Sequence, residues 1–451
     1  MTVVLDYANL LDGRVGGGGV PSADLDGRLA QRFSEALATL TRWRADGRLG
    51  FLDLPDDPGI VGQVEDTVDA WVSGVDDVLI LGIGGSALGA VVLREALGGV
   101  RWNASDTARG GRPRLHVVDN PDPDTLGALL GDLDPTRTAV NVISKSGSTA
   151  ETMAAWLVVQ DWLPADATDR ILFTTDPEHG TLRPLAQRDG IAALPVPPNV
   201  GGRFSVLSAV GLVPAAVLGA DLRGLLAGAA EMRDLCLSDN LPSNPAGLLA
   251  TLLHAADTEM GRPIHVLMPY ADRLRPLALW FQQLWAESLG KDGRGPTPLP
   301  ALGAVDQHAQ VQLFMEGPHD KVVLFVSAPP EVDLTIPSSE DTPAAISYLG
   351  GHTLGGLLDA ERRATTEALR TAGRPSATLE LAAVDARSLG AILMLLEVAT
   401  VLGGGLWGVD PMDQPGVEQG KVYTYGLMGR EGFEAPAIPE ADPDRRVPKI
   451  G

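Results

Sequence analysis

The sequence is dominated by short runs of Val, Ile and Leu, each followed by a segment long enough to form a helix. Apolar runs without alternation are typical of parallel strands that are buried on both faces, and the intervening helices supply the crossovers. The strand pattern pauses at a proline-marked loop, 194–200, and then resumes. The pattern therefore predicts an α/β protein with two mostly parallel sheets, whose strands lie near 78–82, 115–118, 138–143, 171–174, 264–268, 322–326 and 377–381.

The length of the chain, 451 residues, exceeds that of one ordinary domain. The two series of strands predict two α/β/α sandwich domains of similar plan. We expect these at 51–200 and 261–410, with a helical connection at 201–260 between them. An N-terminal helical and loop segment at 1–50 and a C-terminal segment with a tail at 411–451 complete the predicted organisation.

The charge and the cysteine content limit the possible partners. The formal net charge is −23, so neither nucleic acid nor an anionic membrane surface is an expected partner. The one cysteine, Cys236, excludes an internal disulfide and is predicted to fill the core. The longest uncharged stretch, 204–220, is shorter than the ~20 apolar residues that span a membrane, and the N-terminus lacks the basic segment of a secretory signal. These features predict a soluble, cytoplasmic protein.

The segment Ser144-Lys-Ser-Gly-Ser-Thr-Ala-Glu-Thr152 lies between an apolar strand and a predicted helix. Its hydroxyls, lysine and glycine stand where free backbone N–H groups and the positive end of the helix dipole favour an anion. We interpret the segment as a phosphate-binding loop. The alternative is a capping box formed by Ser148 and Glu151, which leaves the other hydroxyls and the lysine without a role.

A glycine-rich turn follows the first predicted strand. Gly82, Gly84 and Ala87 match a relaxed dinucleotide-binding fingerprint, with Asp119 as the acidic residue after the next strand. An NAD-dependent dehydrogenase is therefore one alternative. Ser86 places a hydroxyl at the helix start, which suits a sugar phosphate equally well. In both cases the turn and the phosphate-binding loop meet at the carboxyl ends of the strands.

Glu287 lies near the end of a predicted helix, 277–289, at the border of its buried face. A carboxylate there can be partly desolvated and can accept a proton. An ion pair with Lys291 is the alternative, and the spacing of four residues alone favours it.

His308 lies in a polar patch that opens an apolar helix, where it could act as an acid or base. The sequence lacks the spacings typical of metal ligands, so neither a metal nor a cofactor is expected.

Together these segments resemble the glucose-6-phosphate isomerase family, whose members have two sugar-isomerase (SIS) domains flanking one active site. The Ser-Leu-Gly-Lys at 288–291 replaces the Ser-Asn-Gly-Lys of animal members, which indicates a bacterial-type member. The matching stretches follow the family's order and lie at 82–89, 144–152, 201–205, 287–291, 307–308 and 414–421.

The resemblance implies interconversion of glucose 6-phosphate and fructose 6-phosphate through ring opening and an enediolate. It gives Glu287 the proton transfer between C1 and C2 and places the cation of Arg203 against the enediolate. Ring opening falls to His308 and Lys421. The resemblance also implies a homodimer in which His308 enters the active site of the neighbouring subunit. The implied substrate-binding residues are Gly85, Ser86, Ser144, Lys145, Ser146, Thr149, Glu151, Thr152 and Gln414.

Two alternatives share this fold. One is an isomerase that also accepts mannose 6-phosphate, and Gln414 argues against it because dual-activity members carry a hydroxyl at that place. The other is a non-catalytic sugar-phosphate-binding regulator. The joint presence of the four residues assigned to chemistry, Glu287, His308, Arg203 and Lys421, argues against that alternative.

Overall fold

The computed structural model describes residues 2–439. The described chain forms two compact units, one that ends at Pro411 and one that begins at Met412. From residue 440 onward, the predicted C-terminal tail lies outside the described residues. The strands are β1 (Val3–Asp6), β2 (Asp77–Leu81), β3 (Arg114–Val118), β4 (Thr138–Ile143), β5 (Ile171–Thr175), β6 (Ala192–Pro195), β7 (Ile264–Pro269), β8 (Thr297–Pro300), β9 (Lys321–Ser327) and β10 (Ser376–Leu381).

The helices fall into groups along the chain. Before and around the first sheet lie α1 (Asp12–Val15), α2 (Ala30–Ala45), α3 (Ile60–Trp71), α4 (Leu88–Leu93), α5 (Asp106–Arg109), α6 (Pro123–Asp132), α7 (Ala150–Trp162) and α8 (Leu182–Asp189). The connection contains α9 (Ala209–Val217), α10 (Leu222–Cys236) and α11 (Pro245–Thr258). The remaining helices are α12 (Arg275–Leu289), α13 (Val305–Ala309), α14 (Val311–Glu316), α15 (Leu354–Thr371), α16 (Ala386–Trp407) and α17 (Glu418–Leu427).

Each of the two sheets has five strands. The first has the order β3-β2-β4-β5-β6, and all of its strand pairs are parallel. The second has the order β1-β10-β9-β7-β8, in which β7 to β10 pair in parallel and β1 pairs antiparallel with β10. The predicted α/β class with two mostly parallel sheets is therefore confirmed, whereas the predicted domain boundaries stay predictions.

Three short strands, β1, β6 and β8, differ from the sequence-based expectation. The chain before residue 50 was expected to hold only helices and loops, yet Val3–Asp6 pairs with β10. The loop predicted from residue 194 begins inside β6. All three are edge strands, and β6 and β8 contain prolines. An edge strand can accommodate proline because one side of its backbone needs no ladder hydrogen bond.

The helix α16 lies in the middle of the core and packs against α2, α10, α11 and α12. It has the length and apolarity of a membrane-spanning helix, but 89% of its most apolar stretch is buried inside the protein. Helices that are apolar on all sides are typical of the centre of a large domain. Its composition is therefore explained by its position in the core.

Candidate active site

The phosphate-binding loop predicted at 144–152 begins directly after β4 and closes on itself in front of α7. The backbone N–H of Gly147 donates to Ser144 Oγ at 3.1 Å, and Ser144 Oγ lies 3.2 Å from Thr149 Oγ1. Behind the loop, Thr175 Oγ1 at the end of β5 donates to the carbonyl oxygen of Ser144 at 2.8 Å. Ser146 Oγ also lies 3.5 Å from Thr149 Oγ1. The hydroxyls therefore gather at the carboxyl edge of the first sheet.

The start of α7 does not form the capping box that was the alternative interpretation. The N-cap residue is Thr149, whose side chain makes no capping hydrogen bond, and Ser148 Oγ donates instead to Ser146 Oγ at 3.3 Å. Glu151 is exposed in the first turn. Thr152 Oγ1 is buried and has no hydrogen-bond partner among residues 2–439. The first N–H groups of α7 and this hydroxyl are thus suited to an anion.

Lys145 connects the hydroxyl-rich loop at 144–152 to the segment before Arg203. Its ammonium donates to the carbonyl oxygens of Pro198 at 2.6 Å and Val200 at 2.9 Å. Burial lowers the pKa of Lys145, and the nearby Asp176 carboxylate offsets this only in part. The loop therefore contains a half-buried cation.

The glycine-rich turn after β2 lies against two other parts of the site. A Cβ atom at Gly85 would lie 2.2 Å from the carbonyl oxygen of Gly202, so only glycine permits this approach. A Cβ atom at Gly84 would lie 2.7 Å from Gln283 Nε2 on α12. Ser86, which is half-buried, ends the turn. The turn is thereby placed between the segment of Arg203 and α12.

Arg203 and Glu287 form a partly buried ion pair. Arg203 is only 5% exposed, and its Nη1 lies 3.1 Å from Glu287 Oε1. The other carboxylate oxygen, Oε2, accepts a hydrogen bond from Gln283 Nε2 at 3.0 Å. Arg203 Nε donates to Ser288 Oγ at 2.7 Å, and Nη2 donates to the carbonyl oxygen of Pro411. Both oxygens of the candidate base are therefore held in place.

The ion pair between Glu287 and Lys291, which the spacing alone favoured, is not formed. Lys291 Nζ donates to the backbone carbonyl oxygens of Ser288, at 3.0 Å, and of Asp410. The interpretation of Glu287 as a solvent-facing partner of Lys291 was wrong, because Arg203 occupies the carboxylate and the lysine turns back over the helix end.

His308 lies on α13 and is exposed. Within the part of the chain that the structure describes, its side chain makes no hydrogen bond or ion pair. Gln414 and Lys421 belong to the second unit. There, Gln414 precedes a short turn, Pro415–Val417, and Lys421 Nζ on α17 pairs with Glu418 Oε1 at 2.7 Å. The roles of these three residues stay predictions.

Two residues of the site had no role in the sequence-based prediction. Gln283 stands four residues before Glu287, a spacing at which a glutamine and a carboxylate meet on one helix face, so this signal could have identified it. Ser288 had no such signal, because its partner is distant in the sequence. Over residues 2–439, no group of three or more His, Cys, Asp or Glu side chains is arranged to hold a metal ion.

The arrangement can transfer a proton beside a fixed cation. A held carboxylate can act as a base, and the guanidinium next to it can stabilise an oxyanion that develops there. The hydroxyl-rich loop can bind an anionic group of the same substrate. This combination suits a phosphorylated substrate with an acidic C–H bond.

The sequence matches known proteins over nearly its whole length. The family model described as phosphoglucose isomerase matches residues 66–295 and 360–430. A glucose-6-phosphate isomerase of Rubrobacter xylanophilus is 46% identical over 440 residues, which cover 96% of this chain and 99% of that protein. A glucose-6-phosphate isomerase of Thermus thermophilus is 42% identical, covering 89% of this chain and 98% of that protein.

Similar folds occur among solved structures. A hypothetical protein from Thermus thermophilus has a TM-score of 0.82 at 40% identity, covering 95% of this chain and 100% of that one. A glucose-6-phosphate isomerase from Chlamydia trachomatis has a TM-score of 0.80 at 21% identity, covering 95% of this chain and 88% of that one. The second likeness shows the shared fold.

Proposed function

The chain belongs to the phosphoglucose isomerase family, and from that membership we infer that it reversibly interconverts glucose 6-phosphate and fructose 6-phosphate. The observation that carries this function is the ion pair of Glu287 and Arg203 close to the glycine-rich turn. Family membership sets aside the alternative of an NAD-dependent dehydrogenase, and no feature of the site favours a non-catalytic regulator.

We propose that Glu287 is the base. It removes the proton from C2 of the open-chain aldose, leaving an enediolate, and returns that proton to C1. The hydroxyl proton moves from O2 to O1 in the same interconversion, which gives the ketose. Gln283 and Arg203 hold its two oxygens, which supports a fixed geometry for this transfer. Arg203 is buried with its partners already in place, so it can stabilise charge on the enediolate oxygens at little reorganisation cost.

The phosphate group is proposed to bind at the hydroxyl-rich loop and the adjoining glycine-rich turn. The support is the cluster of hydroxyls and the start of α7, which has no side-chain cap. Binding there would hold C1 and C2 against Glu287 and contribute to rate by positioning. The residues assigned to this group and its surroundings are Gly85, Ser86, Ser144, Lys145, Ser146, Thr149 and Thr152.

Ring opening is assigned to His308 and Lys421, with Glu151 and Gln414 lining the site, on the resemblance to the family. We propose that the protein is a homodimer and that His308 enters the neighbouring subunit's site. His308 is exposed and lies between two exposed apolar residues, Val305 and Leu313. A dimer interface at this helix would bury both apolar side chains.

We also propose that the protein acts in the cytoplasm, in glycolysis and gluconeogenesis, without nucleic acid or membrane as partner. The net charge of −23 disfavours polyanionic surfaces, and the burial of α16 accounts for the most apolar helix.

A coupled assay of glucose 6-phosphate formed from fructose 6-phosphate tests the function. The wild type should show turnover, and Glu287→Gln should reduce kcat by about 100-fold or more because the base is lost. Glu35→Gln is a matched control, since Glu35 also accepts a hydrogen bond at 3.0 Å from a glutamine four residues earlier, Gln31, but on the exposed face of α2. An inactive wild type, or a Glu287→Gln variant that keeps most of its activity, would refute the proposal.

Mannose 6-phosphate in the same assay tests the dual-activity alternative. We expect no turnover of this sugar, because Gln414 stands where dual-activity members carry a hydroxyl. Turnover at a rate comparable with that of fructose 6-phosphate would replace the proposed specificity with the broader one.

A further inference from the structure

Ser288 lies on the inner side of α12 and is 0% exposed. Its hydroxyl oxygen accepts a hydrogen bond of 2.7 Å from Arg203 Nε. The preceding residue, Glu287, accepts from a different nitrogen of the same guanidinium, Nη1. Two consecutive side chains of α12 thus hold two nitrogens of one buried cation.

We propose that Ser288 is a positioning residue that orients Arg203 for the reaction. The proposal rests on the proposed function, in which Arg203 faces the enediolate. Ser288 would then influence the reaction through Arg203, without contacting the substrate itself.

The geometry of the guanidinium explains why one hydroxyl can have this effect. The group is planar, and its N–H donors point in fixed directions within that plane. Ser288 Oγ holds Nε, and the carbonyl oxygen of Pro411 holds Nη2. With these two nitrogens held, the direction of Nη1 is determined, and Nη1 is the nitrogen that meets Glu287.

This direction matters during proton transfer. When Glu287 takes the proton from carbon, its negative charge is neutralised and a new charge develops on the enediolate oxygens. A guanidinium that is already oriented can pass its hydrogen bond from the carboxylate to the substrate without a rearrangement. Without Ser288 Oγ, the buried Nε loses this acceptor, and the whole group can tilt toward another one.

The first test is Ser288→Ala, with Ser388→Ala as the matched control. Ser388 is also 0% exposed, and its Oγ has no hydrogen-bond partner among residues 2–439. Ser288→Ala should reduce kcat by about 10- to 100-fold, the size of effect expected when a catalytic group is misplaced, and leave KM for fructose 6-phosphate within about twofold. Ser388→Ala should leave both constants unchanged. A Ser288→Ala enzyme with the kcat of the wild type would overturn the proposal.

A double-mutant cycle with Arg203→Lys separates positioning from a general loss of structure. Lysine has no Nε donor of this kind, so Ser288→Ala should add little further loss of kcat in the Arg203→Lys background. If the double variant instead loses kcat by the product of the two single-variant factors, Ser288 does not act through Arg203. Should Ser288→Ala fail to fold, Ser288→Cys has a similar shape with a weaker acceptor and should give the same fall in kcat.

These outcomes are distinguishable from failure of the proposed function. An inactive wild type, or an Arg203→Lys enzyme as active as the wild type, removes the assignment of Arg203 itself. An active wild type with an impaired Arg203→Lys and an unimpaired Ser288→Ala removes only the role of Ser288.

Discussion

Glu397 is a glutamic acid in the middle of the core helix α16. It is fully buried, and neither carboxyl oxygen has a hydrogen-bond partner among residues 2–439. Burial raises its pKa well above the usual value of 4.5, because an unpaired charge is costly in an apolar surrounding. The folded protein therefore keeps this carboxyl protonated over a pH range in which the unfolded chain releases the proton.

The raised pKa makes stability depend on pH in a defined direction. The contribution of Glu397 is fully present below its unfolded pKa and is lost as the pH rises toward the folded pKa. Glu397→Gln cannot ionise, so its free energy of unfolding relative to the wild type should increase with pH, by up to about 1.4 kcal/mol per pH unit. Urea denaturation between about pH 5 and pH 8 measures this difference, with Glu35→Gln as an exposed control. A difference that stays constant with pH would contradict the prediction.

Cys236 lies in the core at the end of α10, as its role as a core filler predicted. Burial raises the pKa of its thiol to about 12, so the reactive thiolate is scarce near neutral pH. We expect the native protein to resist a thiol-specific reagent and to react only after denaturation. Rapid labelling of the native protein, counted by mass spectrometry, would show that the thiol is accessible.

The hydroxyl-rich loop at 144–152 depends on a backbone conformation that residues with side chains rarely adopt. Gly147 has a φ of +63°, and a Cβ atom there would lie 2.6 Å from the backbone nitrogen of Leu182. The loop is thus pressed against the start of α8, and its shape requires glycine.

Gly147→Ala should therefore displace the loop. We expect KM for fructose 6-phosphate to rise by about 10-fold or more, because the displaced loop would no longer contact the phosphate group of the substrate. Gly190→Ala is the control. Gly190 has a similar φ of +69°, but a Cβ atom there would meet open space. The control should lower thermal stability and leave KM unchanged. If Gly147→Ala has the same KM as Gly190→Ala, the loop does not bind the substrate.

The elements themselves show what local sequence patterns can predict. β4 (Thr138–Ile143) has the predicted bounds, and α12 ends at Leu289 as predicted. All six residues of the strand are buried, and the apolar residues of the helix recur at helical spacing. β6 and β8 were missed because each has four residues and contains prolines, which locally favour a loop. In the folded chain, β6 pairs in parallel with β5 and β8 pairs in parallel with β7.

The first unit has several exposed apolar residues, and we propose that a second copy of the chain covers them. Val305 is 64% exposed beside His308, and Tyr348 is 69% exposed in the segment before α15. Single exposed apolar residues are ordinary, whereas a contiguous apolar patch is typical of an interface. Other members of these segments are Leu313, Val332, Leu334, Ile346 and Leu354.

A mixing experiment tests the proposed homodimer with shared sites. Glu287→Gln and His308→Ala should each be nearly inactive alone. After the two variants are mixed, unfolded and refolded, each mixed dimer contains one site with both residues intact. Random pairing should restore about a quarter of wild-type activity. If activity does not return although light scattering shows dimers, His308 does not enter the neighbouring site. A fully active monomer would also contradict shared sites.

The sequence by itself determined the alternation of strands and helices, the place of the hydroxyl-rich loop at a helix start, and the family. These follow from apolar periodicity and from short contiguous motifs, which need no knowledge of distant neighbours.

The tertiary structure decided the partner of Glu287. Helix geometry allows a pair with Lys291, yet the carboxylate meets Arg203, which is 84 residues away. The glycine-rich turn packs against the backbone at 202–203, and Ser288, Glu287 and the carbonyl oxygen of Pro411 then hold the buried guanidinium. A buried cation needs acceptors on several sides, and only the folded chain brings them together.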